Sequence, residues 1–281
     1  MTALSEFGQI GLKHYVQQFS PGIWRVWVDE VADLLVLELR EGPEASPVFR
    51  SINWSGLPEI GPAWSPGQGK WATMAACFRG QLALQQYPDP GMPLSKGLYI
   101  YQAQKGEKLW TNPNLQFIGA DADGWLARLE TGEAARYAWQ DGRELARLPL
   151  AEARQTAETF YQQQFSATLF PTPITHVQAA FSTWQKQIHQ DWQIEVHLQL
   201  DWLAYERWQI LHAYTDPQHQ RYQRMLFLYQ GTQPFGKLTL GRTANGLSLD
   251  PMMLVRGKLL FQPDDHHLAW LELLNEALIQ E

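Results

Sequence analysis

The chain has 281 residues, 45% of them hydrophobic and 18% charged, which is enough apolar material for a buried core and too little charge for a disordered polymer. Lys and Arg number 22 against 29 Asp and Glu, and the resulting formal charge of -7 argues against nucleic acid or an anionic membrane surface as the main partner. Cys77 is the only cysteine, so an intrachain disulfide and a thiolate-rich metal site are both excluded, and its place in Met74-Ala75-Ala76-Cys77-Phe78 reads as a small buried hydrophobe.

The opening residues Met1-Thr2-Ala3-Leu4-Ser5-Glu6 carry an acid where a secretion signal carries bases, and no apolar core follows them. Apolar runs such as Leu34 to Leu37 are of strand length, far short of a membrane span. A soluble, cytoplasmic protein is the expectation.

With 13 Trp, 10 Tyr and 12 Phe, and Gly and Pro spread throughout, the chain reads as all-β with many short strands. One pattern recurs along it: an apolar strand, a tight polar turn, and a second apolar strand. Trp24 to Val28, Asp29 to Asp33 and Leu34 to Leu39 form the first copy. Gly61 to Gly69, with Pro62 and Pro66, is a loop. Ala72 to Phe78, Arg79-Gly80 and Gln81 to Leu84 form the second copy. Leu115 to Leu129 is the third and clearest, because Asp123-Gly124 offers the turn chemistry that a hairpin needs. Ile194 to Leu200, Asp201 and Trp202 to Tyr205 read as the fourth, and Met252 to Val255, Arg256-Gly257 and Lys258 to Phe261 as the fifth.

Between these lie aromatic-rich strands followed by a glycine turn: Tyr99 to Tyr101 with Gly106, Arg136 to Trp139 with Gly142, and Met225 to Tyr229 with Thr232 to Gly236. Two consecutive hairpins make a four-stranded antiparallel meander, and such a meander repeated at roughly 40 to 50 residues is the sequence form of a propeller blade. Five copies predict a five-bladed β-propeller-like ring in which stacked sheets bury each other's faces with large side chains. The repeat breaks between Leu150 and Asp191, where Ala151 to Glu158 and Phe181 to Ile188 have helical propensity around an extended Pro171-Thr172-Pro173. The expectation is one propeller-like domain over 1–281 with a partly helical insertion near 151–190. The alternative is two β domains, 1–150 and 191–281, joined by 151–190.

The segment Tyr101-Gln102-Ala103-Gln104-Lys105-Gly106-Glu107-Lys108-Leu109-Trp110 resembles the repeat of pyrroloquinoline-quinone-type and related β-propellers, in which Asp-Ala-x-Thr-Gly-x-x-Leu-Trp follows an aromatic residue or Leu. It departs from that pattern at Gln102 and Lys105. The whole chain is similar to a bacterial family of about this length known only as a domain of unknown function. These resemblances imply a propeller-type fold and bring no catalytic residue.

Candidate chemistry is sparse. Asp264-Asp265-His266-His267 is the densest group of potential ligands, but neighbours on a strand point to opposite faces, so it reads as a solvated turn between the last two strands. His212 and His219 flank Tyr214-Thr215-Asp216-Pro217, a turn signature. No metal and no cofactor are expected. Gly67-Gln68-Gly69-Lys70-Trp71 lacks the spacing of a phosphate loop, and Asn53-Trp54-Ser55 is a glycosylation sequon without a secretion signal. The hairpin acids Asp29, Asp121, Asp201 and Asp250 are the candidates for carboxylates paired across a central channel, although Asp opening a turn commonly serves that turn. Trp54, Trp64 and Trp71 surround the Gly/Pro-rich loop and are the candidate binding residues, against the alternative that they pack between blades. The sequence therefore points to a non-catalytic binding or scaffold protein for a protein or small-ligand partner. The alternative is a hydrolase acting on carbohydrate with its acids in the channel.

Overall fold

A computed structural model describes residues 11–42, 44–54, 58–87, 95–218, 221–242 and 252–273. The chain folds as two compact units, Ser20–Ser166 and the combination of Met1–Phe19 with Ala167–Glu281. The first strand, β1 (His14–Gln18), belongs to the second of these.

Three four-stranded antiparallel meanders make up the Ser20–Ser166 unit. The first is β2 (Gly22–Asp29), β3 (Leu34–Arg40), β4 (Val48–Asn53) and the short β5 (Glu59–Ile60). The second is β6 (Ala72–Phe78), β7 (Gln81–Gln86), β8 (Lys96–Gln102) and β9 (Lys108–Asn112). The third is β10 (Gln116–Ala120), β11 (Gly124–Arg128), β12 (Ala134–Ala138) and β13 (Glu144–Leu148), followed by helix α1 (Leu150–Gln164). The repeated four-stranded meander expected from the sequence is therefore present, with its hairpin turns at the positions the Asp and Gly residues marked.

β3 reads Leu-Leu-Val-Leu-Glu-Leu-Arg and is buried at every position. Strand alternation puts Leu34, Val36, Glu38 and Arg40 on one face. Leu34 and Val36 pack there with Met74, Cys77, Leu82 and Leu84 of the second sheet. Glu38 and Arg40 are tolerated on that face because they satisfy each other. Arg40 Nε donates to Glu38 Oε1 at 2.7 Å, Thr73 Oγ1 and the Met74 backbone N–H donate to Glu38 Oε2 at 3.1 and 2.9 Å, and the Arg40 guanidinium reaches the carbonyls of Ala45, Lys70 and Ala72.

A second device joins successive sheets and is used twice. Trp64 Nε1 donates to the Ala103 carbonyl at 3.1 Å, and Trp110 Nε1 donates to the Trp139 carbonyl at 3.2 Å. Each indole lies over the glycine of the turn that follows, Gly106 at φ +70 and Gly142 at φ +67. A Cβ on either glycine would sit 2.5 Å from the ring, so the position demands both left-handed backbone and no side chain. The register repeats as well, with Ile100 opposite Trp110 and Arg136 opposite Ala146. Ala146 thus stands where a third tryptophan would continue the series. Helix α1 packs against the third sheet, burying Ala153 and Phe160.

The other unit contains two five-stranded antiparallel sheets. Its further elements are β14 (Thr168–Leu169), β15 (Thr172–Thr175), helix α2 (Ala179–Trp192), β16 (Val196–Tyr205), β17 (Trp208–Gln218), β18 (Arg221–Gln230), β19 (Gln233–Arg242), β20 (Met252–Val255), β21 (Lys258–Asp264) and β22 (His267–Glu272). One sheet runs β15-β16-β17-β18-β19, with α2 against one face through Phe181 and Ile188. The other runs β1-β22-β21-β20-β14, so the N-terminal strand pairs with the last one, from His14 opposite Leu271 to Gln18 opposite His267. Leu226, Leu228 and Leu238 of the first sheet pack with Leu254, Leu259 and Phe261 of the second.

Three sequence expectations are corrected here. Asp201 is not a turn residue but lies inside the ten-residue strand β16, which reverses instead at Glu206-Arg207. Tyr214 to Pro217 is likewise not a turn, because β17 runs through it to Gln218. The glycine turn expected at Thr232 to Gly236 is the tighter Gly231-Thr232. The strand continues through Asp201 because it stands opposite His212 in the ladder, and its carboxylate is held there by the His212 Nδ1 and the Gln199 amide rather than by turn donors. Among the described residues no helix is long and apolar enough to cross a membrane.

Candidate functional site

The described hairpin acids are all buried, and each is committed to its own surroundings. Asp29 Oδ1 accepts the N–H groups of Val31 and Ala32 at 3.2 and 3.1 Å, while Oδ2 accepts the Gly80 N–H at 2.7 Å and faces Cys77 Sγ at 3.6 Å. Asp121 Oδ1 accepts the N–H groups of Asp123 and Gly124 at 2.9 and 3.0 Å, and Oδ2 pairs with Arg136 at 2.6 Å. Asp201 accepts the Gln199 amide at 2.8 Å and pairs with His212 Nδ1 at 3.0 Å. None of these sets shares a residue with another. Asp250 and His219 lie outside the described residues. A carboxylate whose oxygens are occupied by turn donors or a guanidinium is oriented by the fold and serves it, rather than being poised to move a proton.

Of the candidate binding residues, Trp54 is 3% exposed and part of the core. Trp64 is half-buried between Phe49 and Tyr101, with ring centroids 5.1 and 5.2 Å away. Trp71 is half-buried under the Lys70 ammonium, 4.8 Å from its ring centroid. The first two are occupied in packing. Asp264 forms the reversal between β21 and β22, accepting the His266 N–H and the His267 ring, both at 2.8 Å. Among the described residues no group of three or more His, Cys, Asp and Glu is placed to hold a metal ion.

A cleft elsewhere has the character of a site. The first strands of the three meanders, β2, β6 and β10, and helix α1 converge on a cavity of about 340 Å³, within the size range of small-molecule pockets. Its walls include Trp27, Phe78, Phe117 and Tyr161. Trp27 meets Phe78 edge-on at 5.9 Å and 88°, and Tyr161 at 6.0 Å and 78°. The strands open the cleft through bulges. The ladder of β6 slips between Met74 and Ala76, and that of β10 between Phe117 and Gly119, so Ala75 and Ile118, which both line the cavity, are the extra residues. Gly119 lets α1 approach closely, since a Cβ there would fall 2.5 Å from that of Ala157.

Two electrostatic features distinguish this cleft. Trp27 Nε1 is buried and, among the described residues, has no acceptor. A buried donor left unsatisfied costs roughly 1–3 kcal/mol. Arg154 and Glu158 line the cavity one helical turn apart on α1. Arg154 has no ion pair among the described residues, and Glu158 accepts only the Gln162 amide at 3.0 Å.

No protein-family model and no curated protein matches this chain. Among solved structures it is similar to BamB from Moraxella catarrhalis, at 7% identity and a TM-score of 0.32 over 88% of this chain and 81% of that one. It is also similar to the core factor of S. cerevisiae, at 7% identity and a TM-score of 0.16 over 93% of this chain and 47% of that one.

Sequence reasoning did not find the cleft. Trp27 sits in the first hairpin, Phe117 in the third and Tyr161 in the segment read as an insertion, and no spacing rule connects them. The one signal in the sequence was helical periodicity: Arg154, Ala157, Glu158 and Tyr161 fall on one face of a helix. A second cavity of about 500 Å³ lies between α2 and β16, lined by Lys186, His189, Glu195 and His197. It is polar and, among the described residues, contains no orphaned buried group. His212 is fully buried, and burial lowers its pKa despite Asp201, which favours the charged ring, with Arg224 adding to the lowering. The ring has no exposed surface.

Proposed function

We propose that the protein is a non-catalytic binding protein whose ligand occupies the cleft between β2, β6, β10 and α1. The aromatic-walled cavity of about 340 Å³, lined by Trp27, Phe78, Phe117 and Tyr161, carries this reading. The saturated state of Asp29, Asp121 and Asp201 supports binding over hydrolysis, because hydrolysis of a glycosidic bond needs two carboxylates free to protonate a leaving group and to assist water or attack the sugar.

Ligand-observed NMR with a set of small aromatic compounds tests the reading. Binding is expected to the native chain and not to Ala75→Leu, in which the larger side chain fills the cavity from the β6 bulge. Far-ultraviolet circular dichroism identical to that of the native chain controls for folding. Equal binding to Ala75→Leu, or no binding of any compound to either protein, refutes the cleft as the site.

A further inference from the structure

Taking the cleft as the ligand site, we infer that it accepts a small zwitterion with a flat apolar body, in chemical class a free aromatic α-amino acid. The cavity of about 340 Å³ has room for one aromatic side chain and its head group, and its flat walls, Trp27, Phe117 and Tyr161, suit a ring. The choice of head group follows from the two charges on α1. Arg154 and Glu158 are four residues apart, which brings their Cβ atoms to about 5–6 Å on one helix face. Both line the cavity, and they make no ion pair with each other.

A neutral ligand leaves both charges unused. A simple anion is attracted to Arg154 and repelled by Glu158, and a simple cation meets the reverse. A molecule carrying a carboxylate and an ammonium on adjacent positions is attracted to both. The carboxylate supplies an acceptor for the Arg154 guanidinium, and the ammonium supplies a donor for the Glu158 carboxylate.

Titration of the full-length chain by calorimetry tests this with three compounds sharing one ring: L-phenylalanine, L-phenylalaninamide, which lacks the carboxylate, and 3-phenylpropanoate, which lacks the ammonium. L-Phenylalanine is expected to bind about tenfold or more tightly than either analogue, the ordinary value of one charge-assisted hydrogen bond. Arg154→Gln is expected to abolish the preference over the amide, and Glu158→Gln the preference over the propanoate. Both residues are exposed on α1, so the variants test recognition without disturbing the core. Equal affinity for the three compounds, an order unchanged by both variants, or no binding of L-phenylalanine overturns the zwitterion assignment. Other aromatic compounds that bind and are blocked by Ala75→Leu then leave the cleft itself standing as a site, so the two readings fail separately.

Discussion

Replacing Gly142 with alanine tests how the meanders of the Ser20–Ser166 unit are joined. The new methyl group would lie 2.5 Å from the Trp110 ring at a residue with φ +67, so the substitution imposes both backbone strain and a clash. Left-handed backbone costs a residue with a Cβ about 1–2 kcal/mol. Forcing the indole aside adds about 1–3 kcal/mol of overpacking, and losing its 3.2 Å hydrogen bond to the Trp139 carbonyl adds about 1 kcal/mol. A total of about 4 kcal/mol is a large part of the stability of a domain this size. Gly67 provides the control, because it has φ +74 and a methyl group added there would meet nothing within 4 Å, so Gly67→Ala carries the backbone cost alone. Equilibrium urea unfolding of both variants, followed by circular dichroism, measures the difference. Gly106→Ala should behave like Gly142→Ala, since it meets Trp64 in the same way. In a Trp110→Ala background the Gly142→Ala penalty should fall to the Gly67→Ala level. A Gly142→Ala variant within about 0.5 kcal/mol of Gly67→Ala would refute the idea that ring and glycine are mutually required.

Glu38→Ala leaves the buried Arg40 guanidinium without its carboxylate and the Met74 N–H without its acceptor, and is expected to cost about 3–5 kcal/mol in the same unfolding assay. Glu38→Leu combined with Arg40→Met should recover much of that loss, showing that the pair is coupled. Burial lowers the pKa of His212, so the folded state binds a proton there less readily than the unfolded chain, whose imidazole titrates near 6.5. The contribution is fully present above about pH 6.5 and is lost as pH falls from there toward the lowered folded value. A thermal-denaturation series between about pH 8 and 5 should show this decline, and His212→Gln should flatten it. Burial, with Asp29 adding, raises the Cys77 thiol well above its ordinary value. Its reaction with a disulfide reagent at about pH 8 should therefore be slow in the native protein and accelerate in urea in step with unfolding, and fast native labelling would contradict its placement.

Much of the architecture is legible in the sequence because hairpins are local objects. Asp29, Asp123-Gly124 and Arg79-Gly80 mark their reversals within a few residues, and the strands beside them alternate or run apolar as their coverage demands. The misreadings share a cause. Asp201 looks like a turn residue because the partner that makes it tolerable in a strand, His212, is across the ladder. Trp54 and Trp64 have the composition of a binding surface, but whether the Trp64 ring is covered depends on Phe49 and Tyr101, and one-dimensional spacing does not carry that. The cleft is the extreme case, since its walls come from strands of three sheets and from a helix that sequence reasoning placed outside the repeat.

The pairing of β1 with β22 has a consequence for synthesis. β1 is made first and its ladder partner last, with the contiguous Ser20–Ser166 unit coming between them. At ordinary translation speeds of roughly 5–20 residues per second, β1 waits on the order of ten seconds or longer for β22. During that interval the backbone donors and acceptors of His14–Gln18 are open to any other strand, including the same segment of a neighbouring nascent chain. A transcript that stops before β22 leaves that vulnerability permanent.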